Sequence, residues 1–149
     1  HMSFSLSQFE ADYLIKLLKR CVDFAMFLPL QGESEEYKVT DVASNSEDFI
    51  VLINRRNKFN NKCSFVLRYK KANKILLRLD VGCTSKHTNP DNTIIEGPHI
   101  HRYREGFDEK FALAIDFNSE SLEDDLRYFL NESNIEEPQK IGTQLKLES

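Results

Sequence analysis

The spacing of apolar positions changes period twice along the chain. From Gln8 to Phe24 they recur at helical intervals: Phe9, Tyr13, Leu17 and Cys21 form one row, and Leu14, Leu18 and Val22 the neighbouring row. Lys16, Lys19 and Arg20 fall on the other face. Ser7, with Glu10 three residues later, has the pattern of a capping box, so this stretch predicts a helix over 8–24. Pro29 and Gly32 end the region. Period two then takes over, and predicts strands at 36–42, 49–54, 64–69 and 74–81, the last two joined by a turn at Lys71-Ala72-Asn73. In 74–81, Ile75, Leu77 and Leu79 share one face and Leu76, Arg78 and Asp80 the other. Two further strands, 99–104 and 110–117, are separated by Glu105-Gly106-Phe107-Asp108. A polar loop covers 82–98; loops of that length in a compact domain are usually functional or disordered.

Helical spacing returns at Leu122, Leu126, Phe129 and Leu130, predicting a helix over 122–131. Ser119 or Ser121 is its cap, and Glu123 and Asp124 lie at the positive end of its dipole. Beyond Ile135 no period is visible. The expected fold is α+β: a mainly antiparallel twisted sheet of five to six strands, with an N-terminal and a C-terminal helix packed on one face. Residues 3–135 would form one domain and 136–149 a loose tail.

A length of 149 residues suits one domain with a proper core. His1-Met2 reads as a cloning remnant. No apolar run approaches the roughly 18 residues of a membrane span, and no signal-peptide pattern appears, which points to a cytoplasmic protein with no membrane partner. Cys21, Cys63 and Cys83 are odd in number and form no CxxC pair, which favours reduced thiols.

Charge is segregated. Between Phe49 and Asn89, the bases Arg55, Arg56, Lys58, Lys62, Arg68, Lys70, Lys71, Lys74, Arg78 and Lys86 face one acid, Asp80, a net +9. The chain totals -4, so the remainder carries -13. Such blocks either pair as a solvated sheet face against acidic helices or form a surface for RNA or another polyanion. On the second reading Arg55, Arg56, Lys58, Arg68, Lys70, Lys71, Lys86, Arg102 and Arg104 are the nucleic-acid-binding candidates.

All three native histidines, His87, His99 and His101, fall between Leu76 and Phe117. On a strand His99 and His101 lie side by side, Tyr103 continues their row, and Ile100, Arg102 and Arg104 point the other way. Three chemistries fit. Cys83, His87, His99 and His101 offer zinc-type ligands, but the C-x3-H-x11-H-x-H spacing matches no common zinc module, so no metal or other cofactor is expected. Two imidazoles can share the acid and base work of RNA cleavage without metal, with Arg78, Arg102, Arg104, Lys86 and Lys110 supplying cations. In the plainest case the histidines only hydrogen-bond the long loop and order it. Asp80 and Glu105 could orient imidazoles in each case. The catalytic candidates are therefore His99, His101, Tyr103, Arg78 and His87. No Gly-rich phosphate loop, nucleophile elbow or acidic metal cluster is present, which disfavours NTPase, hydrolase-fold esterase and dinucleotide-binding readings.

The segment LLRLDVGCTSKHTNPDNTIIEGPHIHRYREGFDEKFA resembles a family of small uncharacterised proteins of bacteria, phages and mobile elements. The family pattern is an arginine-aspartate strand, a His-Thr-Asn-Pro-Asp-Gly loop, a Pro-His-x-His-x-Tyr-Arg-Glu-Gly strand and a following Lys-Trp-Ala. Arg78, Asp80, Gly82, His87, Asn89, Pro90, Asp91, Pro98, His99, His101, Tyr103, Arg104, Glu105, Gly106 and Lys110 fit it. Cys83 and Asn92 stand where glycine is usual and Phe111 where tryptophan is, and the optional Cys83 weakens the four-ligand zinc set. The opening LSQFEADYLIKLLKR is similar to the family's first helix, so the likeness spans Leu6 to Ile135. A shorter similarity, Arg-x-Asp then Pro-His-x-His, is to toxin components of toxin–antitoxin pairs. The second similarity implies an RNA-directed activity and a cognate antitoxin; with the His/Arg cluster and the basic sheet face, the expected function is a phage- or mobile-element-type, toxin-like protein acting on or binding RNA, through a metal-independent ribonuclease-like activity if it is an enzyme. The alternative is a non-catalytic, phage-encoded inhibitor that occupies a host protein or nucleoprotein complex.

Overall fold

The computed structural model describes residues 4–55, 62–82, 84–117 and 119–145. Arg56, Lys58 and Cys83 lie outside the described residues. The frame is an eight-stranded mixed sheet. Its members are β1 (Lys19–Cys21), β3 (Ser34–Asp41), β4 (Asp48–Asn54), β5 (Cys63–Tyr69), β6 (Lys74–Val81), β9 (His99–Arg102), β10 (Ala112–Ala114) and β11 (Ile135–Glu136). They run in the order β10-β9-β6-β5-β4-β3-β1-β11, antiparallel except for the β1–β11 pair. Strand β2 (Ala25–Leu28) pairs in parallel with β12 (Lys140–Thr143), and β7 (Lys86–Thr88) pairs with β8 (Ile94–Glu96).

Alternation in β5 and β6 divides the sheet into two faces. Cys63, Phe65 and Leu67 pair with Val81, Leu79 and Leu77 on the core face, while Ser64 and Val66 pair with Asp80 and Arg78 on the other. Helices α1 (Gln8–Lys16) and α2 (Leu122–Glu132) both cover the core face. Phe129 of α2 stacks on Phe65 with centroids 5.9 Å apart, and Asp12 of α1 meets Arg102, whose strand position pairs with Leu77. Leu126, Phe129 and Leu130 are fully buried, each side chain contributing about 1.5–3 kcal/mol. The opposite face carries Ile50, Leu52, Val66 and Ile75 with Glu36, Lys38, Arg68 and Arg78. The β7–β8 hairpin folds over its β9–β10 end, held by Asn89, whose side chain bonds both the N–H and the carbonyl of Ala112.

The expected antiparallel sheet of five to six strands is therefore corrected to a larger, mixed one, and strand dominates the chain. Three departures account for it. The helix expected over 8–24 stops at Lys16, and Lys19–Cys21 becomes a strand because Lys19 turns inward to the helix C-terminus. The row of Phe9, Tyr13, Leu17 and Cys21 divides: Phe9 is 81% and Tyr13 55% exposed, Leu17 and Cys21 pack on the core, and α1 buries Ala11, Leu14 and Ile15 instead. The capping box at Ser7 and Glu10 is present, and Ser121 caps α2. The polar loop 82–98 contains β7 and β8, and the stretch read as a loose tail contains β11's last residue and β12. These short strands lack apolar periodicity of their own; they form because a partner strand supplies the missing hydrogen bonds.

The expected common face of Ile75, Leu77 and Leu79 also fails. A β-bulge beside Leu67/Arg68 leaves Leu76 without a pair, so Leu76 and Leu77 are both buried and Ile75 turns to the open face beside Arg68.

Candidate functional site

Register brings the site together. Strand β9 lies against β6 with His101 opposite Arg78 and His99 opposite Asp80. All four side chains share the open face, and Ser64 joins them from β5. Asp80 Oδ2 accepts from Arg78 Nε at 3.1 Å, and it lies 3.2 Å from His99 Nε2 and 3.0 Å from His101 Nε2. Asp80 Oδ1 accepts from the Ser64 hydroxyl at 2.5 Å. His101 Nε2 is also 3.0 Å from a terminal guanidinium nitrogen of Arg78.

Backbone carbonyls hold the far side of each ring. His99 Nδ1 donates to Gly97 at 2.9 Å and His101 Nδ1 to Glu109 at 2.8 Å. His87, from β7, lies over the pair: its ring centroid is 4.5 Å from that of His101 and 5.7 Å from that of His99, and its Nε2 bonds the Lys110 carbonyl at 2.6 Å. Three imidazoles thus tie the 82–98 segment and the β9–β10 turn to the sheet. Glycine is required where the 82–98 segment leaves β6: Gly82 has φ +123°, and a Cβ there would stand 3.2 Å from the Lys62 backbone.

Burial pushes the Asp80 carboxyl upward, but the hydrogen bonds from His101, His99 and Ser64 and the Arg78 charge reverse this and hold it well below the usual range. Burial draws His99 down; its bonds to Asp80 and to the Gly97 carbonyl outweigh that and leave its pKa raised. The Asp80 side chain is 18% exposed, between the buried histidines and the more open Arg78. Two concavities meet at it: a groove of about 420 Å³ along the open sheet face, and a cavity of about 180 Å³ bounded by Lys62, Ser64, Ser85, Lys86 and His99.

Of the residues singled out from sequence, His87, His99, His101, Arg78 and Asp80 converge. Tyr103 does not. Strand β9 ends at Arg102, Tyr103 N–H bonds the carbonyl of the bulged Leu76, and its ring turns into the core. Its hydroxyl there donates to the Leu6 carbonyl and accepts from Leu6 N–H, which fastens the N-terminal segment. Glu105 accepts from the backbone of Gln8 and touches no imidazole. Arg102 pairs with Asp12 on the helix side, and Arg104 lies over the Phe111 ring at 3.9 Å. Lys110 enters only through its carbonyl. Arg55 bonds the Pro29 carbonyl, Arg68 bonds Asn73, and Lys70 and Lys71 are exposed at the β5–β6 turn. Ser64 and the carbonyls of Gly97 and Glu109 were missed from sequence. Only strand register identifies Ser64, and backbone acceptors leave no compositional signal.

Both nitrogens of His99 and of His101 meet internal partners, the Gly97 and Glu109 carbonyls through Nδ1 and Asp80 through Nε2. Asp80, His99 and His101 bring three ligand atoms within 4.8 Å of one another. Among the described residues no helix is long and apolar enough to cross a membrane.

No curated protein and no solved structure matches the chain. A family of unknown function, DUF6978, matches residues 6–135, most of the chain and the whole of the site just described, and the protein belongs to that family.

Proposed function

We propose that the protein binds RNA along the open face of its sheet, as a binding protein rather than through histidine-based cleavage. The observation that carries this reading is the cavity of about 180 Å³ with Lys62 and Lys86 at its rim and the Ser85 hydroxyl in its wall. It has the size and donors for a phosphate group. Arg78 and Arg68 continue the cations along β5 and β6, and Lys70 and Lys71 stand at the far turn. Asp80 does not oppose an anion, because Arg78 and the histidines already satisfy its charge. No Phe, Tyr or Trp side chain among the described residues lies on this face of β3–β6 or β9, and the His99 and His101 rings there are buried, so recognition rests on backbone phosphates rather than on base stacking.

Such contacts carry a steep salt dependence. Four phosphate contacts to a single strand predict a loss of about 50-fold in affinity between about 50 and 200 mM salt. Fluorescence anisotropy with a labelled single-stranded RNA measures it, with an Arg68→Glu/Lys86→Glu variant that folds normally and does not bind. The absence of binding at the lower salt, or binding indifferent to salt, rules the reading out. In that case the apolar centre of the same face, Ile50, Leu52, Val66 and Ile75, favours docking of a host protein instead.

A further inference from the structure

We propose that Asp80, His99 and His101 form a binding site for a divalent transition-metal ion, Zn2+ foremost, that the ion enters in exchange for the Arg78 guanidinium. This inference does not depend on RNA binding, although the two share Arg78 and the cavity beside Asp80. Its first ground is convergence. His99 Nε2 and His101 Nε2 approach one carboxylate oxygen at 3.2 and 3.0 Å. A tetrahedral zinc about 2.0–2.1 Å from each ligand holds ligand atoms about 3.3 Å apart; two of the three separations are already close to that, and all three ligand atoms lie within 4.8 Å of one another.

The second ground is how the rings are held. Metal-ligating histidines characteristically donate the other ring N–H to a carbonyl or carboxylate, which fixes the tautomer and aims the lone pair. His99 and His101 both do so, through Nδ1 to Gly97 and Glu109. Asp80 has the same kind of support, since Ser64 donates to its other oxygen. Ser85 and the small cavity next to Asp80 and His99 leave room for a water as fourth ligand.

The third ground is an atom with too many partners. His101 Nε2 is 3.0 Å from an Arg78 nitrogen, which can only donate, and 3.0 Å from Asp80 Oδ2, which as a carboxylate oxygen can only accept. One ring nitrogen cannot serve both. With a lone pair it repels the carboxylate, and with a proton it repels the guanidinium. A metal ion between Nε2 and Oδ2 satisfies both atoms at once. Arg78 is the group that can leave: its side chain is 31% exposed and lines the open groove, whereas His101 has no exposure. The guanidinium therefore holds the cation position when metal is absent. The ligand set differs from the cysteine-containing one considered from sequence, because it takes Asp80 from the neighbouring strand.

The test uses the full chain freed of any affinity tag and stripped with chelator. Zn2+ binding is followed by calorimetry and Co2+ binding by its visible d–d absorption. The expected result is one ion per chain, with a nitrogen-and-oxygen tetrahedral Co2+ spectrum and a higher unfolding temperature. Asp80→Asn abolishes binding, His87→Asn preserves it, and Arg78→Gln tightens it about tenfold. His101→Asn is a weaker probe, since loss of a buried ring can itself unfold the domain; Arg78→Gln keeps every ligand and the fold. If neither wild type nor Arg78→Gln takes up stoichiometric metal, the site is refuted. Metal binding that survives in Asp80→Asn refutes it as well, and equal affinity of Arg78→Gln and wild type refutes the exchange.

Discussion

Lys19 and Asp80 are both charged groups inside the sheet, and they are satisfied in opposite ways. Lys19 has no exposure. Its ammonium donates to the carbonyls of Ile15, Leu17 and Ser133 at 2.8–2.9 Å, three acceptors for three protons, at the C-terminal ends of both helices. Burial pulls its pKa down to about 7, while the three carbonyls favour the charged form. Asp80 takes four neighbours on two oxygens, three of them crowded on Oδ2, and a solvent groove opens onto it. A buried charge whose donors and acceptors match one for one is a fastener. One with mismatched partners at the floor of a groove is poised to exchange them.

Replacing the two groups separates these roles. Lys19→Met keeps the volume but leaves three helix-end carbonyls, two of them in buried bonds, without that donor, and we expect a loss of about 3 kcal/mol or more in urea unfolding. A loss under about 1 kcal/mol would break the comparison. In chelator-treated protein Asp80→Asn costs less, about 2 kcal/mol, because the histidines and Arg78 lose their anion but water can reach the site. Arg78→Gln costs least, under about 1 kcal/mol, because its ion pair is a third exposed.

Acid sharpens the same contrast. Asp80 and Asp41 both have depressed pKa values in the fold. For Asp41 the causes are the N–H of Glu47, the hydroxyl and N–H of Ser44, and the N–H of Ser46, opposed by desolvation. A depressed carboxylate stabilises the fold above its ordinary value of 3.8 and loses that contribution as pH falls toward the folded value. Lys19 is protonated in both states throughout that range and adds no slope. Metal-free protein should therefore lose stability steadily below about pH 4, and Asp41→Asn or Asp80→Asn should each flatten the decline in denaturant titrations at pH 2–5. An unchanged slope in both variants would show that neither carboxylate is held as described.

Much of the site was legible in the chain because its members stand on two strands with strong period-two patterns. His99 and His101 at i and i+2 must share a face, and Arg78 and Asp80 must share one on the strand before. Tyr103 was misplaced by that same rule, since the rule assumes the strand runs on. The Leu76 bulge ends the regular pairing and turns the ring inward. Lys19 was misread as a solvent-facing helical residue for a related reason: a lysine beside apolar neighbours carries no mark of the three carbonyls that draw it inside.

The sequence by itself determined the helix caps, the alternating core strands and the gathering of the imidazoles, because each follows from the geometry of a few consecutive residues. Tertiary structure alone decided the number of strands, the inward turn of Lys19 and Tyr103, and the meeting of Ser64, Arg78, His99 and His101 around the Asp80 carboxylate. Those outcomes depend on hydrogen bonds between residues distant in the chain. A short strand such as β11 or β12 exists only when a partner edge completes its backbone pairing, and a carboxylate gains its ligands only when the register between β6 and β9 sets them opposite one another.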